Sequence, residues 1–481
     1  MTQQNPLTLL DEATRDILEV RDAIARGGST DEAITLIDQA QANLDDAVGS
    51  INTAQVHLHD AKALLRPTNV IDVTPGQSVQ AAIDSAPVGA TLRLAAGTYD
   101  GALVIRKSVT LTGPNPPPPG TATESCPVWL TAYAEQSVLV TPEASDVAFV
   151  GIGFKQQYPD YELALLQGNH LLLDRCVGLG DPANGLRRGW RVEGKNITVS
   201  GCYMNNIWRP GRDTVCIGSW QDLDGLLVEH CYLCGGAETV MFGGADSPSA
   251  DRICKNIKIT NCTLTKDPAW YGMGAQIKTP FELKSAKHVY MADCVLEWGG
   301  IAEGQGAYLM VITVRNQDGT APWECIEDVV IERCACRHGG GGMNILGHDD
   351  LQPSGGLVGL TVRNCSFVDL NPDGPWANHT EGWYGHGRGV MFNGKPQQVT
   401  LEALTMEGVS MNSLGSFANT PNQPVGLTMR NWKYFTSDYG WKIDDGGMDV
   451  PPACDNLKQL MPDLVYEITG SDPGAAGYPQ G

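Results

Sequence analysis

The chain of 481 residues contains no run near the ~18 continuous apolar residues of a membrane span, so no membrane-crossing helix is expected. Its opening residues, Met1 to Thr30, are amphipathic and acidic. They lack the basic start and apolar run of a secretory leader, so a reducing cytoplasm is the expected folding compartment. Basic residues are scarce, 33 Lys and Arg against 55 Asp and Glu, for a net charge of -22. A surface this acidic repels phosphate backbones, and no nucleic-acid partner is expected. Aromatics are 7% of the chain, and the 11 Trp outnumber the 8 Phe. That ratio predicts flat rings at the surface rather than an aromatic core. Gly (56) and Pro (29) are abundant instead, so turns must be frequent.

Residues 1–66 read as two helices. In the second, apolar residues recur in alternating steps of four and three from Ala33 through Ile37, Leu44, Ile51 and Leu58 to Leu65. This is a coiled-coil seam. The first helix carries Leu10, Ala13, Ile17, Val20 and Ile24 at the same spacing. Gly27 and Gly28 end it, and Ser29 with Glu32 makes a capping box for the next. An intrachain hairpin and an attachment or oligomerisation neck both fit.

After Pro67 the period becomes strand-like. Ile71 to Pro87 reads as a short strand, a turn and an amphipathic helix, and Ala90 to Tyr99, ending in Gly97-Thr98-Tyr99, as another strand. Beyond that, a short alternating strand followed by Cys recurs. The Cys positions are 176, 202, 231, 262, 294, 334 and 365, in steps of 26, 29, 31, 32, 40 and 31, and Trp432 closes the series. Variable steps with a fixed strand phase describe a solenoid with loop insertions. Seven of the 14 Cys therefore belong to one buried column of free thiols. Asn261, Asn364 and Asn431 precede this slot, where a turn is expected.

The opening helix with its "GTY" strand, and the strand-Cys repeat, resemble the right-handed parallel β-helix proteins of the pectate-lyase-like superfamily. The resemblance covers about 380 residues. It implies an all-β solenoid over 69–450, behind the α-helical neck of 1–66 and before a Pro/Gly-rich tail or cap at 451–481. The catalytic motifs of pectate lyases and polygalacturonases are not assembled here. Gly347-His348-Asp349-Asp350 and Gly385-His386-Gly387 only echo them. The layout of helical neck and β-helix is similar to phage tailspikes and other virion appendages.

Candidate chemistry lies where strands meet long loops. In Phe281-Glu282-Leu283-Lys284, inward Phe and Leu place Glu282 and Lys284 outside, and the same phase in Ile312–Asn316 places Arg315 outside. Glu282, Lys284, Arg315, Asp318 and Asp349 are the candidate catalytic set. Asp213, Glu238, His348, Asp350, His386 and Arg388 are the candidate ligand-binding set. A lyase needs a base and a cation; a hydrolase needs two carboxyl groups. No zinc-type spacing occurs, and calcium has no loop motif behind it, so no cofactor is expected. The leading expectation is a virion appendage or decoration protein. It would be assembled in a bacterial host cytoplasm, attach to other virion proteins through 1–66, form a homotrimer, and present the β-helix to surface polysaccharide. The alternatives are a polysaccharide lyase or glycosidase, and a purely structural solenoid.

Overall fold

The computed structural model describes residues 69–300, 308–371, 387–407 and 423–431, with short strands between 413 and 467. The helical neck of 1–66 and most of the tail lie outside the described residues.

Short strands bounded by turns cannot bury both faces alone, so each coil stacks on the last. One coil runs Asn169–Asp174, Val177–Leu179 and Arg188–Val192, and the next begins at Lys195–Ser200. Strands of like position hydrogen-bond to one another in three sheets of 14, 13 and 12 described strands. We call them first, third and second in the order the coil meets them. Their pairings are parallel, apart from an antiparallel pair between Gly440–Ile443 and Met448–Val450. This is a parallel β-helix. The eight repeat strands read from the sequence all lie in the first sheet.

The corner after each first-sheet strand explains the repeat. The residue before the Cys slot takes a left-handed conformation in coil after coil, from Arg175 (φ 52) through His230, Asn261, Asp293, Arg333 and Asn364 to Asn431 (φ 55). Only three of these are Asn, because the stacked corner over-determines a conformation that costs an isolated side chain about 1–2 kcal/mol. A second left-handed position opens the same strands, at Asp146, His170, Asn196, Asn256, His288 and Asp328. The ladder register skips it: Asn169 pairs with Lys195 and Leu171 with Ile197.

The seven phased thiols are free and buried. They stack as one column: the Cys176 N–H donates to Cys202 Sγ at 3.3 Å, Cys202 to Cys231 Sγ and Cys231 to Cys262 Sγ, each at 3.4 Å. Leu404 fills the slot in a coil that the spacing from Cys365 to Trp432 had concealed. Leucine fits the slot at 404, but at Cys262 the neighbouring slots of the stack hold Cys231 and Cys294 in direct thiol contact. Cys262→Leu is expected to cost about 1–3 kcal/mol through overpacking, measured as a lower denaturant midpoint. An unchanged midpoint would contradict the close stacking.

The opening helix, Val79–Ser85, is capped by Ser78, whose hydroxyl accepts from the Ala81 N–H, and it buries Val79 and Ile83. At the far end, Val465–Glu467 adds to the first sheet beside Thr428–Arg430. The expectation of surface Trp rings does not hold. Trp190, Trp208 and Trp270 are fully buried, and no described Trp is exposed: Trp190 lies in the main core, while Trp208 and Trp270 stack at 6.0 Å in a second apolar cluster with Cys234 and Ile277.

Candidate functional site

The third sheet positions the site. In its five-residue strands the second, third and fifth side chains join the core, as Leu163, Ala164 and Leu166 do. The first and fourth face outward. Two columns therefore run along its outer surface. One is Gln136, Glu162, Arg188, Val215 and Glu238; the other is Leu139, Leu165, Arg191, Gly218, Met241, Glu282 and Val311.

Outward does not mean exposed here. The loops that lead into this sheet rise beside it, and Glu238 and Glu282 are only 2% and 4% exposed. Lys278, two residues before the Pro280 break, lies 3.5 Å from Glu238 and also binds the more exposed Asp213. Lys284 lies 3.5 Å from Glu282. Its stem passes Gly244 (φ 91), where a Cβ would stand 2.8 Å from the Lys284 Cδ. Lys266 is fully buried, and its ammonium donates to the Gly235 carbonyl at 2.9 Å, the Ala237 carbonyl at 3.0 Å and the Thr239 hydroxyl at 3.3 Å. It thus clamps the bend that delivers Glu238. The Glu282 Oε2 is buried with no hydrogen-bond partner among the described residues.

Electrostatics follow from burial and crowding. Burial, and then the neighbouring Glu282, push the Glu238 carboxyl up to about 7. Burial pulls Lys266 down to about 8 despite the attraction of Glu238. Burial also works against Lys278, but Glu238 and Asp213 outweigh it and hold its pKa above the ordinary value. The Glu282 carboxylate raises Lys284 likewise.

Four of the residues singled out from sequence, Asp213, Glu238, Glu282 and Lys284, thus meet in one cluster. The others fall elsewhere. The expected strand at 312–316 ends at Thr313, and the Arg315 N–H donates to the Lys284 carbonyl at 3.0 Å. The Arg315 side chain turns away to Asp350 and, at 3.4 Å, Asp349. Asp349 accepts from the backbone N–H groups of Asn316 (2.7 Å) and Leu351 (2.9 Å). Those donors and Arg315 outweigh its burial and keep its carboxyl below the usual range. This is the chemistry of a braced turn. Asp318 is exposed on that turn, and its N–H donates to Asp246 at 3.0 Å. His348 is half-buried beside Gly356. Arg388 lies in the first outward column several coils away, against Met391. His386 lies outside the described residues.

Lys266 and Lys278 were not singled out from the sequence. Lys278 carries a signal in retrospect, since Lys-Thr-Pro ahead of Phe281 places a cation just where the strand starts. Lys266 follows an ordinary strand, Thr263–Thr265, and only the packing of the next loop buries it.

No protein-family model matches the chain, and no curated protein matches it by sequence. Among solved structures, an alginate lyase from Paenibacillus is 11% identical, covers 78% of this chain and 99% of its own, and superposes with a TM-score of 0.37. A polygalacturonase from Erwinia carotovora is 13% identical over 79% of this chain and 95% of its own, with a TM-score of 0.43. The DFA-IIIase of Arthrobacter chlorophenolicus is 11% identical over 85% of this chain and 100% of its own, with a TM-score of 0.44. What these share with the chain is the fold. None of the three is named as a virion protein.

Proposed function

We propose that this protein is a carbohydrate-active enzyme of the glycoside-hydrolase kind, working on the outer face of the third sheet. Glu238 is its proton donor and Glu282 its second carboxyl group. The observation that supports this most is the Glu238 carboxyl, whose pKa of about 7 lets it hold a transferable proton near neutrality, one coil from another buried carboxyl group. The unpartnered Glu282 Oε2 leaves an acceptor that a water or sugar hydroxyl would satisfy.

A lyase needs a base that stands unprotonated and ready to take the proton beside a uronate carboxyl. Lys278 and Lys284 hold theirs more tightly than usual, and Lys266 spends its donors on Gly235, Ala237 and Thr239. The hydrolase reading is therefore preferred. The virion reading joins the acidic surface and the solenoid to a helical neck at 1–66, which lies outside the described residues.

The test is release of reducing ends from inulin, dextran, xylan and polygalacturonate. Glu238→Gln and Glu282→Gln are each expected to lower turnover by about 100-fold or more with the fold retained by circular dichroism. Full turnover in Glu238→Gln would overturn the assignment.

A further inference from the structure

The loops between the second and third sheets form a continuous wall beside the candidate site. At its far end stand three tyrosines on two successive coils. Tyr133 is 68% exposed, the ring of Tyr158 lies 5.5 Å from it edge-on, and Tyr161 lies 4.5 Å from Tyr158. Tyr158 and Tyr161 are half-buried against one another and brace the exposed ring of Tyr133, which stays open to solvent.

The wall joins this cluster to the site by direct contacts. Asp160, beside Tyr161, pairs with Arg209 at 3.1 Å and Arg212 at 3.6 Å. The next residue, Asp213, binds Lys278, which reaches Glu238. Glu162, one residue beyond Tyr161, stands three register steps from Glu238 in the same outward column. At ~4.8 Å per strand that is about 14 Å, the reach of a short oligosaccharide.

Four arginines along this path already have a carboxylate within 4 Å, Arg209 and Arg212 sharing Asp160. Arg188 and Arg191 lie 3.6 Å and 3.2 Å from Glu162, and Arg191 also pairs with Glu193 at 2.8 Å. Arg187 lies in the field of Asp160. A uronate carboxylate would stand beside the resident Asp160, Glu162 and Glu193 and compete with them for these arginines, and the chain's net charge of -22 adds long-range repulsion. A neutral sugar ring, with its apolar C–H face on a phenol and hydroxyls toward Arg212 and Asp160, meets neither obstacle.

We infer that Tyr133, Tyr158 and Tyr161 form a distal subsite for a neutral glycan chain that runs along the third sheet to Glu238. This rests on the proposed function and adds the substrate class to it. The test is affinity electrophoresis in gels containing dextran, inulin, xylan or polygalacturonate. Retardation by at least one neutral glycan is expected, and Tyr133→Ala/Tyr161→Ala should weaken it about tenfold or more at unchanged melting temperature. Glu238→Gln should keep the retardation. Equal retardation of the tyrosine variant, retardation by polygalacturonate alone, or none by any neutral glycan would each overturn the inference. If Glu238→Gln abolishes cleavage while the tyrosine variant binds as before, the subsite fails and the enzyme assignment stands. If the tyrosine variant loses binding while Glu238→Gln cleaves normally, the reverse holds.

Discussion

Lys266→Met is expected to destabilise the protein by about 1–3 kcal/mol, the cost of leaving a buried acceptor without its donor. The side chain is 2% exposed, and its ammonium donates to three acceptors. Methionine matches the stem's length but donates nothing, so the Gly235 carbonyl loses the ammonium, while the Ala237 carbonyl keeps the Lys278 N–H at 3.1 Å and the Thr239 hydroxyl keeps its bond to the Thr265 carbonyl at 3.3 Å. The loss also removes a positive charge near Glu238, so that carboxyl should hold its proton more tightly still. Lys266→Arg, which keeps the charge, should leave Glu238 closer to its native proton affinity. Chemical denaturation measures the stability, and the alkaline limb of the pH–rate profile reads Glu238. A methionine variant as stable as the native protein would mean that the clamp contributes nothing.

Stability should fall as pH rises from about 4.5 to about 7, by an amount traceable to Glu238. Its carboxyl holds a proton up to about 7 in the folded chain, against an ordinary 4.5. In that window the folded state binds the extra proton, so deprotonating solvent favours the unfolded state. At 1.36 kcal/mol per pH unit the effect is on the order of 3 kcal/mol. It is absent below about 4.5 and complete above about 7. Glu238→Gln has no such titration, so its stability relative to the native protein should climb through the window and then level. Melting temperatures of the two proteins between pH 4 and 8 check this. A constant difference would show that Glu238 titrates normally. Under the proposed chemistry, turnover also falls as pH passes about 7 and the proton donor empties.

Within the solenoid, what was legible in the sequence was whatever repeats. The Cys slot, the strand phase and the opening helix recur or cap the stack, and a side chain that must fit the same corner in coil after coil leaves a period in the chain. The slot filled by Leu404 escaped notice because the corner demands a small-to-medium apolar group and a left-handed residue before it, not Cys and Asn as such. Ala403 (φ 50) supplies the second. Glu282 and Lys284 were placed outward for the right reason, since strand alternation is local.

Their burial was not legible. It depends on how far the loops at 208–214 and 266–280 rise beside the third sheet, and no local pattern encodes that height. Arg315 shows the same limit: its phase is written in Ile312 and Val314, but its choice of Asp349 and Asp350 over the Glu282 cluster was settled by the next coil's turn. The sequence alone therefore determined the coil, its three-sided repeat apart, and the facing of its side chains, because these follow from backbone sterics and burial one residue at a time. Only the tertiary structure decided which charges became neighbours. Asp213, Glu238 and the trio Lys266, Lys278 and Glu282 come from three successive coils, and the dielectric around them exists only once those coils are stacked.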